Sequence, residues 1–213
     1  MKIDIASQIG AVTRAVENRE RDGKPVRAVI ACRSYDTTID DVWDALTNAQ
    51  RIPRWFLPIS GELKLGGRYQ FEGNAGGTIT TCEPPRHLAV TWEFAGGMSW
   101  VEVKLAEEAE GSTWLELQHI APVDPHWEQY GPGAVGVGWD LGLMGLDLYL
   151  KTGASNPEQS MAWMGSDEGK TFIRGSSDDW GRAAIAAGER AETAKASAER
   201  TRAFYAGEAP TGA

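Results

Sequence analysis

Apolar residues between positions 4 and 22 fall at Ile5, Ile9, Val12 and Val16, a 4-3-4 spacing that predicts one amphipathic helix stopped by Asp22-Gly23-Lys24-Pro25. From Val26 to Tyr35 the period shortens to two, so Val26, Ala28, Ile30 and Cys32 share one side of a strand. Thr38 followed by Asp41 forms a capping box, and Ile39, Val42, Trp43 and Leu46 then draw a short helix. Asn48 caps a second one, with Ile52, Trp55 and Phe56 inward and Pro53 limiting its length. Residues 61 to 121 alternate as an antiparallel meander, with turns expected at Gly66-Gly67, Gly76-Gly77, Pro84-Pro85, Gly96-Gly97 and 107 to 111. Its inward side carries Leu63, Leu65, Tyr69, Phe71, Leu88, Val90, Trp92, Phe94, Val101, Val103, Leu105, Leu115, Leu117 and His119. The other side carries Glu102, Lys104, Glu116 and Gln118, the pattern of a face turned to solvent, but also Trp100 and Trp114, which call for a cover.

Ala134 to Lys151 reads as a helix apolar round most of its circumference, with Asp140 and Asp147 leaving a narrow polar stripe, so both broad faces should be buried. It is too short and too acidic to span a membrane. Gly136, Gly138, Gly142 and Gly145 point to close packing, or to room beside a ligand. Asn156-Pro157 starts another short helix through Met164. Ser177 caps a long final helix in which Trp180, Ala184, Ala187, Ala191, Ala194 and Ala198 form a heptad seam of small residues. The seam needs a partner: the N-terminal helix, the central helix, or a second copy of the chain. The organisation expected is an N-terminal helix over 1–24, a main domain over 25–152, a helical extension over 153–206 and a disordered tail over 207–213.

Strand, two short helices, meander and long helix is the order of an α+β helix-grip fold, a curved six- to seven-stranded antiparallel sheet around a long helix. The chain has 213 residues and a net charge of −9, with the acidity concentrated in residues 25 to 152 and no cluster of Lys and Arg. This argues against a nucleic-acid partner. Two cysteines and an N-terminus without a basic-then-apolar run predict a reduced, cytoplasmic protein.

His119, Asp124 and His126 are the nearest approach to a metal constellation, but they lack a defined third ligand and helical spacing, and neither metal nor cofactor is expected. The glycine-rich run 131–136 has no lysine and no preceding strand of the βαβ kind, so it reads as a cavity lip and not a phosphate loop. Ser60, Ser99 and Ser112 lie at expected turns, with no nucleophile elbow and no triad. The nine tryptophans divide between a core or cavity set and a set needing external cover. Trp55, Phe56, Phe71, Trp92, Trp127, Trp139 and Leu143 are candidates to line an apolar cavity, with His119 as its polar group and the only candidate for catalysis. A solidly filled core is the alternative.

Val42-Trp43-Asp44-Ala45-Leu46-Thr47, Arg54-Trp55-Phe56, Gly66-Gly67-Arg68-Tyr69, Gly77-Thr78-Ile79, Glu83-Pro84-Pro85-Arg86-His87-Leu88, Thr91-Trp92, Thr113 to His119 and Gly138-Trp139 together resemble the SRPBCC (START and birch-pollen-allergen-like) superfamily. The bacterial branch similar to the C-terminal domain of the activator of the Hsp90 ATPase fits best, over residues 26 to 150. The resemblance implies the helix-grip fold but carries over no catalytic residue. Three functions stay open: binding of a small hydrophobic or amphipathic ligand in an internal cavity, a cyclase- or hydratase-like enzyme using His119 there, and a co-chaperone-like interaction module. A homodimer through the C-terminal helix is a further expectation, with no membrane insertion.

Overall fold

The computed structural model describes residues 3–154 and 161–208. In chain order they form α1 (Ile5–Gly10), β1 (Thr13–Arg21), β2 (Lys24–Tyr35), α2 (Ile39–Thr47), a 3-10 turn (Ile52–Arg54), β3 (Ile59–Gly61), β4 (Arg68–Phe71), β5 (Gly76–Glu83), β6 (His87–Phe94), β7 (Gly97–Ala109), β8 (Ser112–Pro122), α3 (Pro125–Tyr130), α4 (Gly133–Thr152), α5 (Met161–Met164), α6 (Asp167–Ala186) and α7 (Ala191–Tyr205). The strands make one eight-stranded antiparallel sheet in the order β1-β2-β8-β7-β6-β5-β4-β3, the α+β helix-grip arrangement. Among the described residues, 3–31, 122–141 and 161–208 form one compact unit and 32–121 and 142–154 a second, so β2 and α4 are each divided between units.

In the first unit the helix expected over 4–22 is confined to α1, and residues 13–21 are a strand. Asp22 and Gly23 take positive φ angles of 51° and 72°, the backbone of a two-residue hairpin turn, which pairs the preceding segment with β2. Val12 and Val16 satisfied a helical spacing, but Arg14 and Val16 also alternate inward along β1, and pairing outweighs the local pattern. This strand is why the sheet has eight members and not six or seven. It lies at the sheet edge and is dense in Arg and Glu, which discourages further pairing.

The long helix expected from Ser177 is two helices. Ser166, not Ser177, caps α6, accepting from the Gly169 amide at 3.1 Å, and Gly188 (φ 97°) lies in the connection to α7. Ser177 sits inside α6, buried. The small-residue seam is thereby split: Ala184 is buried on α6 and Ala194 and Ala198 on α7, and a Cβ at Gly181 would lie 3.2 Å from that of Ala198. The close approach that the seam permits is used between these two helices of the same chain. The helix start at Asn156-Pro157 and the tail beyond Glu208 lie outside the described residues.

In the second unit the meander is as expected in order but not at two turns. Gly76 and Gly77 open β5 instead of turning, because Cβ atoms there would strike backbone or side-chain atoms of Tyr69, Gln70 and Thr91. The turn falls just before them, with Gly73 at φ 65°. Leu63 and Leu65 belong to a loop between β3 and β4, and Leu65 is 63% exposed. Ala95 and Gly96, both at positive φ, join β6 to β7.

Both aspartates of the α4 stripe are buried and each meets an arginine of its own unit. Asp147 lies 2.9 Å from Nη2 of Arg33 and 3.0 Å from Nζ of Lys151. Asp140 accepts at one oxygen, Oδ2, from Arg14 Nε at 2.9 Å, Trp180 Nε1 at 3.1 Å and the Ser176 hydroxyl. Arg14 also reaches Asp179 at 3.0 Å and the carbonyls of Ile9 and Val12. Burial pushes the Asp140 carboxyl above its ordinary range, against the pull of Arg14. Among the described residues no helix is long and apolar enough to cross a membrane.

Candidate functional site

The site residues of the second unit converge on the sheet face that carries Tyr69, Trp92 and His119. Thr38 starts α2 by accepting from the Asp41 amide, and the Trp55 indole donates to the Ala45 carbonyl at 2.9 Å, fixing the 3-10 turn against the end of α2. From there the rings form a continuous run. Trp55 to Phe56 is 5.5 Å between centroids, Phe56 to Phe71 5.0 Å edge-on, Phe71 to Tyr69 5.4 Å, Phe71 to Trp92 5.7 Å and Trp92 to His119 6.0 Å. Edge-on and tilted contacts at these distances are the favourable geometries for aromatic pairs. Gly142 of α4 brings Phe56 close, since a Cβ there would lie 3.6 Å from the ring. The next residue, Leu143, is buried, and its carbonyl accepts from the Tyr35 hydroxyl at 3.2 Å.

Burial along this face is uneven. Val101, Val103, Leu105, Leu115 and Leu117, on β7 and β8, are buried. Trp55, Phe56, Phe71, Val90 and Trp92 are only half-buried, although the strand register turns Val90 and Trp92 to the same side as Val101 and Ser99. Phe94, at the end of β6, is 55% exposed. The face is therefore solid at β7–β8, and Tyr69 of β4 and Ile79 of β5, which faces Val90, are buried as well; the half-buried rings cluster at the 3-10 turn, Phe71 and Trp92.

His119 is the polar member. It is 3% exposed, and burial pulls its imidazole down to about 4, so it is neutral near pH 7. Its Nε2 lies 2.8 Å from the Ser99 hydroxyl, which is also 3.2 Å from the Trp92 carbonyl. By sequence alone Ser99 falls at an expected turn. The register brings it in: β7 begins at Gly97, Ser99 faces Trp92, and His119 faces Val101, the next inward residue on Ser99's strand.

Trp127 and Trp139 belong to the first unit. Trp127 lies in α3 and lines a cleft of about 370 Å³ within that unit, together with Val16, Arg27, Pro132, Ala187 and Ser197. Asp124 caps α3 by accepting from the Trp127 amide at 2.8 Å, and the exposed His126 ring stands 4.8 Å from that of Tyr130. Among the described residues no group of three His, Cys, Asp or Glu is placed to hold a metal ion. Cys32 and Cys82 are free, and burial pushes the Cys32 thiol up to about 11.

Residues 36–151 match the family model described as activator of Hsp90 ATPase homolog 1-like protein. CalU16 from Micromonospora echinospora is 33% identical in its crystal structure, with a TM-score of 0.66, and the alignment covers 84% of this chain and 99% of that one. That share exceeds the family-model match, so the likeness takes in flanking elements as well. DynU16, from the dynemicin biosynthetic locus, is 26% identical with a TM-score of 0.53, over 60% of this chain and 48% of that one. The Mesorhizobium loti protein MLL2253, at 21% identity, 59% and 97% coverage and a TM-score of 0.53, shares the fold. No curated protein matches the chain.

Proposed function

The chain belongs to the activator of Hsp90 ATPase homolog 1-like family of the SRPBCC superfamily, and from that premise we propose that it binds a small apolar or amphipathic molecule against the half-buried aromatic cluster of Trp55, Phe56, Phe71 and Trp92. The observation that carries this reading is the half-burial of Trp55 and Phe56 after the 3-10 turn and of Phe71 and Trp92 on the inward face, beside the buried Val101, Val103, Leu105, Leu115 and Leu117 of β7 and β8. Rings that keep accessible area gain roughly 25 cal/mol for each Å² that a ligand removes from water. A solid core would leave nothing to gain.

Tryptophan-fluorescence titration and native mass spectrometry with a panel of lipids and aromatic polyketides test the proposal. A saturable response that Phe71→Ala weakens supports it. No bound species and no response from any member of the panel would remove it.

The hydrogen bond between His119 and Ser99 favours a second reading, an acid/base enzyme in which neutral His119 takes a proton from the ligand. Turnover unchanged in His119→Ala on an identified substrate would end it. The family description also keeps an interaction with an Hsp90-type chaperone in view, to be tested by pull-down and by the chaperone's ATPase rate.

A further inference from the structure

We propose that Ser99 is the specificity determinant of the aromatic face and that it selects ring compounds carrying a hydroxyl, phenols and naphthols, over the same rings bearing only acceptors. The inference rests on the ligand-binding reading above and goes further by naming the ligand's chemistry. Ser99 stands on the inward face of β7 opposite Trp92, is half-buried, and has its hydroxyl within hydrogen-bond distance of both His119 Nε2 and the Trp92 carbonyl. It is therefore the polar group at the His119 end of the run of rings.

A serine hydroxyl has one proton and two lone pairs. When His119 carries its proton on Nε2, the ring donates to Ser99, and Ser99 donates to the Trp92 carbonyl. When His119 carries it on Nδ1, Ser99 donates to Nε2. In either tautomer the serine proton is used inside the protein, and only acceptor lone pairs, one or two, are left for a ligand. A ligand hydroxyl donates to such a lone pair without disturbing either partner. A ligand that can only accept must break the bond to Trp92 or to His119 before it gains one.

Isothermal titration calorimetry with 2-naphthol, 2-methoxynaphthalene and naphthalene, on the full chain, tests this. The wild-type protein is expected to bind 2-naphthol about tenfold more tightly than 2-methoxynaphthalene, the scale of one hydrogen bond in a partly dry site. Ser99→Ala is expected to abolish that ratio and Ser99→Thr, which keeps the hydroxyl, to restore most of it. Equal binding of the three probes by the wild-type chain overturns the selection and leaves the aromatic site standing. A ratio that survives in Ser99→Ala overturns the assignment to Ser99. Binding of no probe overturns both.

Discussion

Oδ2 of Asp140 lies 2.9 Å from Nε of Arg14, with both side chains closed off from water. Sequence separates the two residues by 126 positions, and the contact fastens β1 to the first half of α4. A buried ion pair adds little over a well-packed apolar pair, but breaking one partner leaves a desolvated charge. Arg14→Met is therefore expected to cost about 3–5 kcal/mol in urea denaturation. The double variant Arg14→Met/Asp140→Asn, which removes the charge and keeps an acceptor for Trp180 Nε1 and the Ser176 hydroxyl, should recover most of that loss. If it is no more stable than Arg14→Met, the pair is not the source of the effect.

Two glycines of α4 are expected to respond oppositely to alanine. A Cβ at Gly136 would meet the ring of Trp180, which is fully buried and anchored to Asp140, so Gly136→Ala should destabilise by about 1–3 kcal/mol through overpacking. At Gly142 the added methyl lies at ordinary contact distance, 3.6 Å from Phe56, and helix propensity should dominate, with a gain of about 0.5–1 kcal/mol. Thermal melts of the two variants side by side decide it.

Ser177 offers a stabilising substitution. Its hydroxyl is buried inside α6 and has no hydrogen-bond partner among the described residues. Ser177→Ala removes an unsatisfied polar atom while leaving the helix intact, and should be neutral to stabilising by about 1 kcal/mol. A loss of similar size in chemical denaturation would contradict the environment described for this hydroxyl.

His119 should make the protein acid-sensitive. The free imidazole titrates near 6.5 and the folded one near 4, so between these values the unfolded chain binds more protons. Stability from this group is complete above pH ~6.5 and falls as pH drops toward 4, by about 3 kcal/mol in all. His119→Gln removes the group, and its stability should vary less steeply across that window. Parallel profiles for the two proteins would show that His119 does not titrate as described.

The pattern of residues 88 to 119 was legible because a period of two, repeated over three long strands between glycine-containing or charged turns, has one low-energy arrangement. The Thr38 cap of α2 is equally local. Residues 13–21 are not legible as a strand: a few apolar positions fit both periods, and Asp22-Gly23 has the composition of a helix stop although it is the turn that pairs β1 with β2. Ser177 likewise has the composition of a cap, but α6 starts eleven residues earlier, where Ser166 caps it ahead of Asp167 and Glu168.

The sequence by itself determined the fold class, the meander and its inward aromatics, the near-total burial of α4 and the family resemblance, since each follows from periodicity, turn chemistry or motif order within short stretches. Tertiary structure alone decided that the Asp140 and Asp147 stripe faces arginines and not water, that the alanine seam folds back as α6 against α7, and that Ser99 stands beside His119. Each of those contacts joins residues distant in sequence. Strand register, or the packing of one helix or strand on another, sets them, and both are fixed only when the whole unit closes.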